Sequence, residues 1–209
     1  MKDLPIFTGC CGIATLILHE IPYRKEAYVL VRSVFTTLEE FTEECESFCR
    51  AAGADRIYYG GKGDFASCSV YASLMERSVP LKSLPATDAV AFAVGPQEEE
   101  NWLSLYRKRF AAVPAATGCP STEEIYFIRQ GSELIGLGQV KGSEICAVAS
   151  LKPHAGADCV CALAACCSGE IINLLCAEQN EPAMKLYDRL GFSRGRIKEV
   201  WFCKKGLAF

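Results

Sequence analysis

The chain has 209 residues, of which 50% are apolar and 22% are charged, so it can form a packed core in one large domain or two small ones. A formal net charge of −3 and a pI near 5.6 argue against a nucleic-acid-binding surface. No apolar run is long enough to span a bilayer, and the first residues lack the apolar core and cleavage site of a secretory signal. We therefore expect a cytoplasmic protein that has neither a nucleic acid nor a membrane as its partner.

The chain contains 13 cysteines but only 2 histidines, His19 and His154. The number of cysteines is odd, and none of the pairs has the CxxC spacing that zinc sites commonly use. We therefore expect no metal and interpret most cysteines as small buried apolar residues, since free cysteine is among the most buried residue types. A thiol-rich metal or redox protein remains the alternative that the cysteine count suggests.

The first 60 residues predict a compact α/β unit. Ala14 to Glu20 and Ala27 to Val31 have the composition of strands, with a turn at Ile21 to Lys25 between them. A capped helix is predicted from Thr36 onward because apolar residues recur there at helical spacing. Arg56 to Tyr59 predicts another short strand.

A second set of elements follows a predicted helical linker at Cys68 to Arg77 and a proline-containing boundary at Val79 to Pro85. Three helices are expected, at Glu98 to Phe110, at Ala157 to Cys167 and after Asn180. The strands predicted in this part are Glu124 to Arg129, Glu133 to Val140, Glu144 to Leu151, Ile171 to Ala177, Phe192 to Arg194 and Ile197 to Cys203.

The most informative segment is Asn180 to Phe192, with the sequence NEPAMKLYDRLGF. Asn180 can cap a helix that has Pro182 in its first turn, and Gly191 suits the left-handed position that ends it. The segment resembles the Asn-x-x-Ala-x-x-Leu-Tyr-x-x-x-Gly-Phe motif of the GNAT superfamily, the acyl-CoA-dependent N-acyltransferases. The resemblance implies an α/β fold (α+β, mixed sheet), in which a central mixed sheet is flanked by helices.

The order of elements from about residue 84 also resembles the complete GNAT order, and the first half repeats a fragment of it. We therefore predict two domains: a degenerate GNAT-like amino-terminal half at residues 1–80 and a GNAT N-acetyltransferase domain at residues 81–209. An unrelated α/β extension is the alternative for the first half.

The resemblance implies acetyl-CoA as co-substrate. Backbone groups of Ala149 and Leu151 are expected to bind the pantetheine arm, and Asn180 to contact it. Leu151-x-Pro153 resembles the family's Val-x-Pro step, which precedes a loop and helix start that hold the pyrophosphate. That loop corresponds to His154 to Cys161, in which the candidate binding residues are Gly156, Ala157, Asp158, Cys159, Val160 and Cys161. It lacks the family's arginine and has cysteine at two small-residue positions, and the like charge of Asp158 would repel phosphate.

The resemblance also implies the chemistry, in which an amine attacks the thioester directly. Tyr187 occupies the family position of the general acid that protonates the leaving thiolate, although packing in the core is its alternative role. Glu144 begins the strand that would carry the cofactor and is the candidate general base, whereas a solvated strand-start glutamate is the alternative. Lys185, Arg189 and Arg194 could meet the nucleotide phosphate or form a solvated face.

These inferences predict an acetyl-CoA-dependent N-acetyltransferase whose acceptor is a small-molecule or peptide amine. The alternative is a CoA-binding or structural GNAT-like protein with little or no catalytic activity. Whether the chain forms a homodimer is left open.

Overall fold

A computed structural model describes residues 5–116 and 124–204. Its strands are β1 Ile6–Thr8, β2 Gly12–Ile17, β3 Glu26–Val34, β4 Arg56–Gly61, β5 Cys68–Pro80, β6 Ala89–Ala93, β7 Ile125–Gln130, β8 Glu133–Lys141, β9 Glu144–Ser150, β10 Ile171–Ala177 and β11 Ser193–Lys204. Its helices are α1 Ile21–Arg24, α2 Leu38–Ala51, α3 Glu99–Phe110, α4 Gly156–Ala164 and α5 Glu181–Arg189, and a 3₁₀ turn covers Leu81–Ser83.

The chain divides into two compact units, Met1–Leu74 with Lys198–Phe209, and Met75–Ile197. The long strands β5 and β11 each contribute residues to both units. The interpretation of residues 1–80 as a degenerate GNAT-like half stays a prediction.

The first unit has a mixed sheet with the strand order β1-β2-β3-β4-β11-β5. β2 and β3 are antiparallel, whereas β3 and β4 are parallel and are joined through α2. The predicted cap of α2 is confirmed: Thr37 Oγ1 accepts the Glu40 N–H at 3.2 Å, and Glu40 accepts the Thr37 N–H in return. The helix packs Phe41, Cys45 and Cys49 onto the sheet, where all three are fully buried.

The second unit has a mixed sheet with the order β11-β5-β10-β9-β8-β7-β6. Strands β6 to β9 form an antiparallel series, and β10 lies parallel to β9. Neighbouring residues such as Phe127 and Ile128 belong to different apolar clusters, because successive side chains point to opposite faces. The helices α4 and α5 cover the face of Ile128, and α3 covers the face of Phe127. The expected fold class is confirmed as a mixed sheet flanked by helices.

The prediction of a helical linker at Cys68 to Arg77 is wrong, because this segment lies within β5. Four of the five residues from Ala72 to Glu76 are good helix formers, but intrinsic propensity is a weak preference that tertiary packing overrides. Here Ala72 and Arg77 are fully buried.

Two other expectations also change, and one strand was not predicted. The two segments predicted around residues 192–203 form one continuous strand, β11, in which Gly195 lies so close to β5 that a Cβ there would be 2.8 Å from the Glu76 carbonyl oxygen. The turn at Ile21 to Lys25 contains the short helix α1, which Lys25 ends in a left-handed conformation with φ of 57°. β6, a short alanine-rich strand, was not predicted.

None of the helices within residues 5–116 and 124–204 combines the length and the apolar character needed to cross a bilayer.

Candidate functional site

The main feature of the second unit is a gap between the parallel strands β9 and β10. Their pairing joins Asn173 with Glu144 at the start of both strands, and the Asn173 N–H donates to the Ser143 carbonyl at 2.9 Å. No pair is formed further along, although each strand has seven residues. The two strands therefore separate toward their carboxyl ends, which is where open α/β sheets bind ligands.

A β-bulge in β9 accounts for this separation. The pairing with β8 changes register between Gln139↔Ala147 and Val140↔Ile145, so that Cys146 is an extra residue. A bulge bends its strand and interrupts regular pairing. Because β8 and β9 pair again from Ala147 to Ser150, β9 follows β8 and diverges from β10.

The backbone of β9 shows which groups can face this gap. The Leu151 N–H donates to the Ile135 carbonyl at 2.7 Å, and the Leu151 carbonyl accepts from Arg109 Nη2 at 3.0 Å. The Ala149 carbonyl also lies on the β8 side, 3.0 Å from the position that a Cβ at Gly136 would occupy. Since backbone groups alternate between the two edges of a strand, those of Val148 and Ser150 face the gap. This geometry gives the predicted role of the Ala149 and Leu151 backbones no support, because the backbone groups that face the gap are those one residue earlier.

The helix α4 begins at the carboxyl end of β9. Its N-cap residue is Ala155, which has no side-chain oxygen, so no side chain caps the helix. The N–H groups of Gly156, Ala157 and Asp158 belong to the first turn and have no acceptor within the helix. These three predicted cofactor-binding residues form an uncapped helix start, which is suited to an anion.

The other three predicted loop residues, Cys159, Val160 and Cys161, lie inside α4 and are buried. The Cys159 N–H already donates to the Ala155 carbonyl at 3.0 Å, and the next two N–H groups are committed to the helix in the same way. The predicted phosphate contacts of these three residues are therefore corrected. The Cys159 side chain instead fills the space above Gly136, where an added Cβ would overlap its sulfur.

Asp158 introduces a negative charge into the same first turn. Its Oδ1 accepts a hydrogen bond from Thr87 Oγ1 at 2.7 Å, which fixes the carboxylate beside the helix start. A carboxylate here is favourable for the helix dipole. It also competes with any anionic ligand that binds the same N–H groups.

Asn180 lies at the start of α5, after the carboxyl end of β10. Its Oδ1 accepts the Ala183 N–H at 3.4 Å, so the predicted capping role is confirmed. Gly191 has a φ of 80° and ends the turn after the helix, as the sequence predicted. Contact between Asn180 and a cofactor arm stays a prediction.

Tyr187 lies on the buried face of α5 and is 7% exposed. Its ring packs against Phe192 with a centroid distance of 5.4 Å. Burial raises the pKa of its hydroxyl, the nearby Cys176 thiol raises this pKa further, and Arg77 lowers it. The hydroxyl therefore stays protonated at neutral pH and lies beside β10, one wall of the gap.

Arg77 is a buried residue that lies outside the sequence-predicted site. Its guanidinium donates to Asp188 Oδ1 at 2.6 Å, to the Phe192 carbonyl at 2.7 Å and to the Ser193 carbonyl at 3.0 Å. The Phe192 N–H in turn donates to the Tyr187 carbonyl at 3.0 Å. Arg77 thus fixes the end of the helix that carries Tyr187. The available signal was that Arg77 and its neighbour Glu76 are the only charged residues in the segment Cys68 to Pro80.

Glu144 lies at the closed end of the gap, where its pairing with Asn173 holds the two strands together. Cys176, which lies near Tyr187, comes three residues after Asn173 in β10. At the rise of a strand, it is roughly 10 Å from the position where Asn173 pairs with Glu144. The structure does not bring Glu144 to the open end. This placement gives the predicted base role no support.

Three basic side chains were predicted to meet the nucleotide phosphate. Lys185 and Arg189 lie on the exposed side of α5, and Arg194 is exposed in β11, after the helix. Lys185 pairs with Glu181 at 3.2 Å, and Arg194 pairs with Asp188 at 2.6 Å. Arg189 is exposed. His154 is exposed in the loop before α4 and has a left-handed φ of 66°.

The first unit also has a pair of parallel strands, and these remain together. β3 and β4 pair over six positions, from Glu26↔Arg56 to Val31↔Gly61. Within residues 5–74 and 198–204, no gap opens between them. The candidate site therefore lies in the second unit.

The site thus belongs to an α/β protein whose mixed sheet opens between two parallel strands beside an uncapped helix start. Neither a scan of protein-family models nor a search of curated proteins finds a match. Among solved structures, a GCN5-related N-acetyltransferase from Kribbella flavida matches over 98% of this chain and 91% of its own, with 15% identity and a TM-score of 0.57. A conserved protein of unknown function from Staphylococcus epidermidis matches over 98% and 95%, with 11% identity and a TM-score of 0.60.

At such low identity these similarities establish the fold. The chain has the fold of the GCN5-related N-acetyltransferases, the GNAT fold that the Asn180 to Phe192 motif predicted.

Proposed function

We propose that this chain is an acyl-CoA-dependent N-acyltransferase that moves an acetyl group from acetyl-CoA to an amine. The observation that carries the proposal is the gap between β9 and β10, which is bordered by gap-facing backbone groups and by the uncapped start of α4. Backbone groups at an open strand edge can pair with the amide-rich pantetheine arm, much as an added strand would. The helix start supplies donors for the pyrophosphate.

In the proposed reaction the neutral amine attacks the thioester carbonyl, and the C–S bond breaks as the tetrahedral intermediate collapses. The leaving thiolate takes a proton, for which Tyr187 is the proposed donor. The amine nitrogen loses a proton to water, since Glu144 lies at the closed end of the gap. Cleft geometry contributes by holding the thioester and the amine together.

Calorimetric titration with CoA tests the binding half of this proposal. Ser150→Pro removes a gap-facing N–H without removing a donor to β8, and proline is tolerated where a strand has a free edge. We expect this variant to fold and to bind CoA roughly tenfold more weakly, which corresponds to the loss of about one hydrogen bond. Ser150→Ala keeps the N–H and should bind like the wild type.

Turnover is tested by following free thiol release from acetyl-CoA with a panel of amines. Acceptor-dependent release supports the enzyme. CoA binding without release from any amine favours the binding or structural alternative. Absence of calorimetric heat, together with no thermal stabilisation by millimolar CoA, would sink the cofactor assignment.

A further inference from the structure

The turn between β1 and β2 in the first unit brings two thiols and a carboxylate together. Its sequence is Gly9-Cys10-Cys11-Gly12, and Glu44 reaches it from α2. Cys10 Sγ lies 3.3 Å from Glu44 Oε1. One sulfur from each cysteine and one carboxylate oxygen all lie within 4.8 Å of one another.

We propose that Cys10, Cys11 and Glu44 form a binding site for a thiophilic divalent cation, with Zn²⁺ as the probe of choice. In a tetrahedral zinc site, Zn–S bonds of about 2.3 Å and Zn–O bonds of about 2.1 Å place a sulfur and an oxygen about 3.6 Å apart. The observed 3.3 Å needs only a small adjustment. Three protein ligands leave a fourth position for water.

The surrounding backbone orients the carboxylate toward the thiols. Glu44 Oε1 accepts the Cys10 N–H at 3.1 Å, and Oε2 accepts the Cys11 N–H at 3.2 Å. Such hydrogen bonds to a ligating carboxylate are the outer contacts that fix metal ligands in place. Gly9 is needed for this approach, because a Cβ at that position would overlap the Glu44 carboxylate.

These groups are also accessible, which distinguishes them from the cysteines in the core. Cys10 is exposed and Cys11 is half-buried, whereas Cys45 and Cys49 on the same helix as Glu44 are fully buried. A cation can therefore reach the two thiols of the turn from solvent. The expectation of no metal rested on the spacing of cysteines and histidines along the sequence, and Glu44 is 33 residues away from Cys11.

The test uses the reduced full-length chain, which is stripped with a chelator and then dialysed against Zn²⁺. We expect one equivalent of zinc per chain. Cys10→Ser and Cys11→Ser should each weaken binding at least about 100-fold, since losing a direct ligand should cost as much as losing an outer contact or more. Cys146→Ser, which removes an exposed thiol elsewhere, should bind zinc like the wild type.

Two further variants separate a metal site from a turn that is merely held by hydrogen bonds. Glu44→Gln keeps a hydrogen-bond acceptor but loses the charge, and Gly9→Ala displaces the carboxylate without removing any ligand. Both should weaken zinc binding by about 10- to 100-fold, and Glu43→Gln on the exposed side of α2 should not. Zinc should raise the unfolding temperature of the wild type more than that of Glu44→Gln.

Absence of stoichiometric zinc in the dialysed wild type would overturn the site. So would zinc binding that Cys146→Ser weakens as much as Cys10→Ser does, or that Glu44→Gln leaves unchanged.

Discussion

The charge of Asp158 at the start of α4 leads to a directional prediction about cofactor affinity. The carboxylate belongs to the third residue of the helix and is fixed there by Thr87. A pyrophosphate bound by the free N–H groups of that turn would lie within about one helical turn of it, roughly 6 Å away. At this distance in water, each pair of like charges costs about 0.7 kcal/mol.

Two phosphate charges give about 1.4 kcal/mol, so we expect Asp158→Asn to bind CoA roughly tenfold more tightly than the wild type at low salt. The asparagine keeps an acceptor for Thr87, so the loop should be retained. Because the effect is Coulombic, it should largely disappear near 1 M salt, where the screening length is about 3 Å.

The measurement is a calorimetric titration of CoA into both proteins at low and at high salt. Loss of a helix-dipole contact should also destabilise the variant by about 0.3–1 kcal/mol, which urea unfolding would detect. Tighter CoA binding by Asp158→Asn together with a lower stability of this variant would show that the Asp158 charge stabilises the fold and weakens ligand binding. Weaker or unchanged CoA binding by Asp158→Asn at low salt would refute a pyrophosphate at this helix start.

Three other properties can be tested in the same preparations. Arg77→Met removes the donor to the buried Phe192 carbonyl and should cost about 2–4 kcal/mol in urea unfolding, and a loss below about 1 kcal/mol would contradict its anchoring role. Hydrogen bonds from Arg194 and Arg77 lower the pKa of Asp188 to about 2, so the stabilising contribution of its carboxylate is present above about pH 4 and is lost as the pH falls toward 2. The free energy of unfolding of Asp188→Asn should therefore depend less on pH between about 4 and 2 than that of the wild type. Burial raises the pKa of both Cys159 and Cys146, to about 12 and about 11, but only Cys146 is exposed to solvent. A thiol reagent should therefore modify Cys146 in the native protein and Cys159 only after denaturation, and equal native rates would contradict the fold.

The parts of the fold that local sequence predicts well are those with a local physical cause. The α2 start has a reciprocal cap between Thr37 and Glu40, and the α5 start has Asn180 and a proline. Each of these signals lies within four residues of the feature that it specifies. The predicted strand Ile171 to Ala177 has the same bounds in the structure, because its apolar run is short and bounded by turns.

The errors arise where the cause is distant along the chain. β5 contains helix-forming residues, and it is a strand because strands far away in sequence pair with it on both sides. The gap-facing residues were each assigned one position too late, as Ala149 and Leu151 instead of Val148 and Ser150, because the bulge at Cys146 sets which edge each backbone group faces. A one-residue change of register reverses every such assignment. No pattern within β9 alone indicates where its pairing with β8 changes register.

Tyr187 has a packing role in the structure and a proposed role as proton donor, which sequence alone could not separate. Its ring is part of the core, since it is 7% exposed and packs against Phe192. Its hydroxyl lies near the Cys176 thiol, and burial holds its pKa above the usual value. The raised pKa keeps the proton in place through neutral pH, but it also makes the group a weaker acid. In the proposed reaction, proton donation by Tyr187 therefore has to occur as negative charge develops on the leaving sulfur.

Tyr187→Phe keeps the ring and its packing and removes only the proton donor. We expect the fold and the CoA affinity to survive, while turnover with an accepted amine falls by about 100- to 10,000-fold, as is typical when a general acid is lost. Tyr126→Phe makes the same change on β7, away from the gap, and should leave turnover unaltered. Single-turnover measurement isolates the chemical step. Full activity of Tyr187→Phe in that measurement would assign proton donation to water or another group and leave Tyr187 as a packing residue alone.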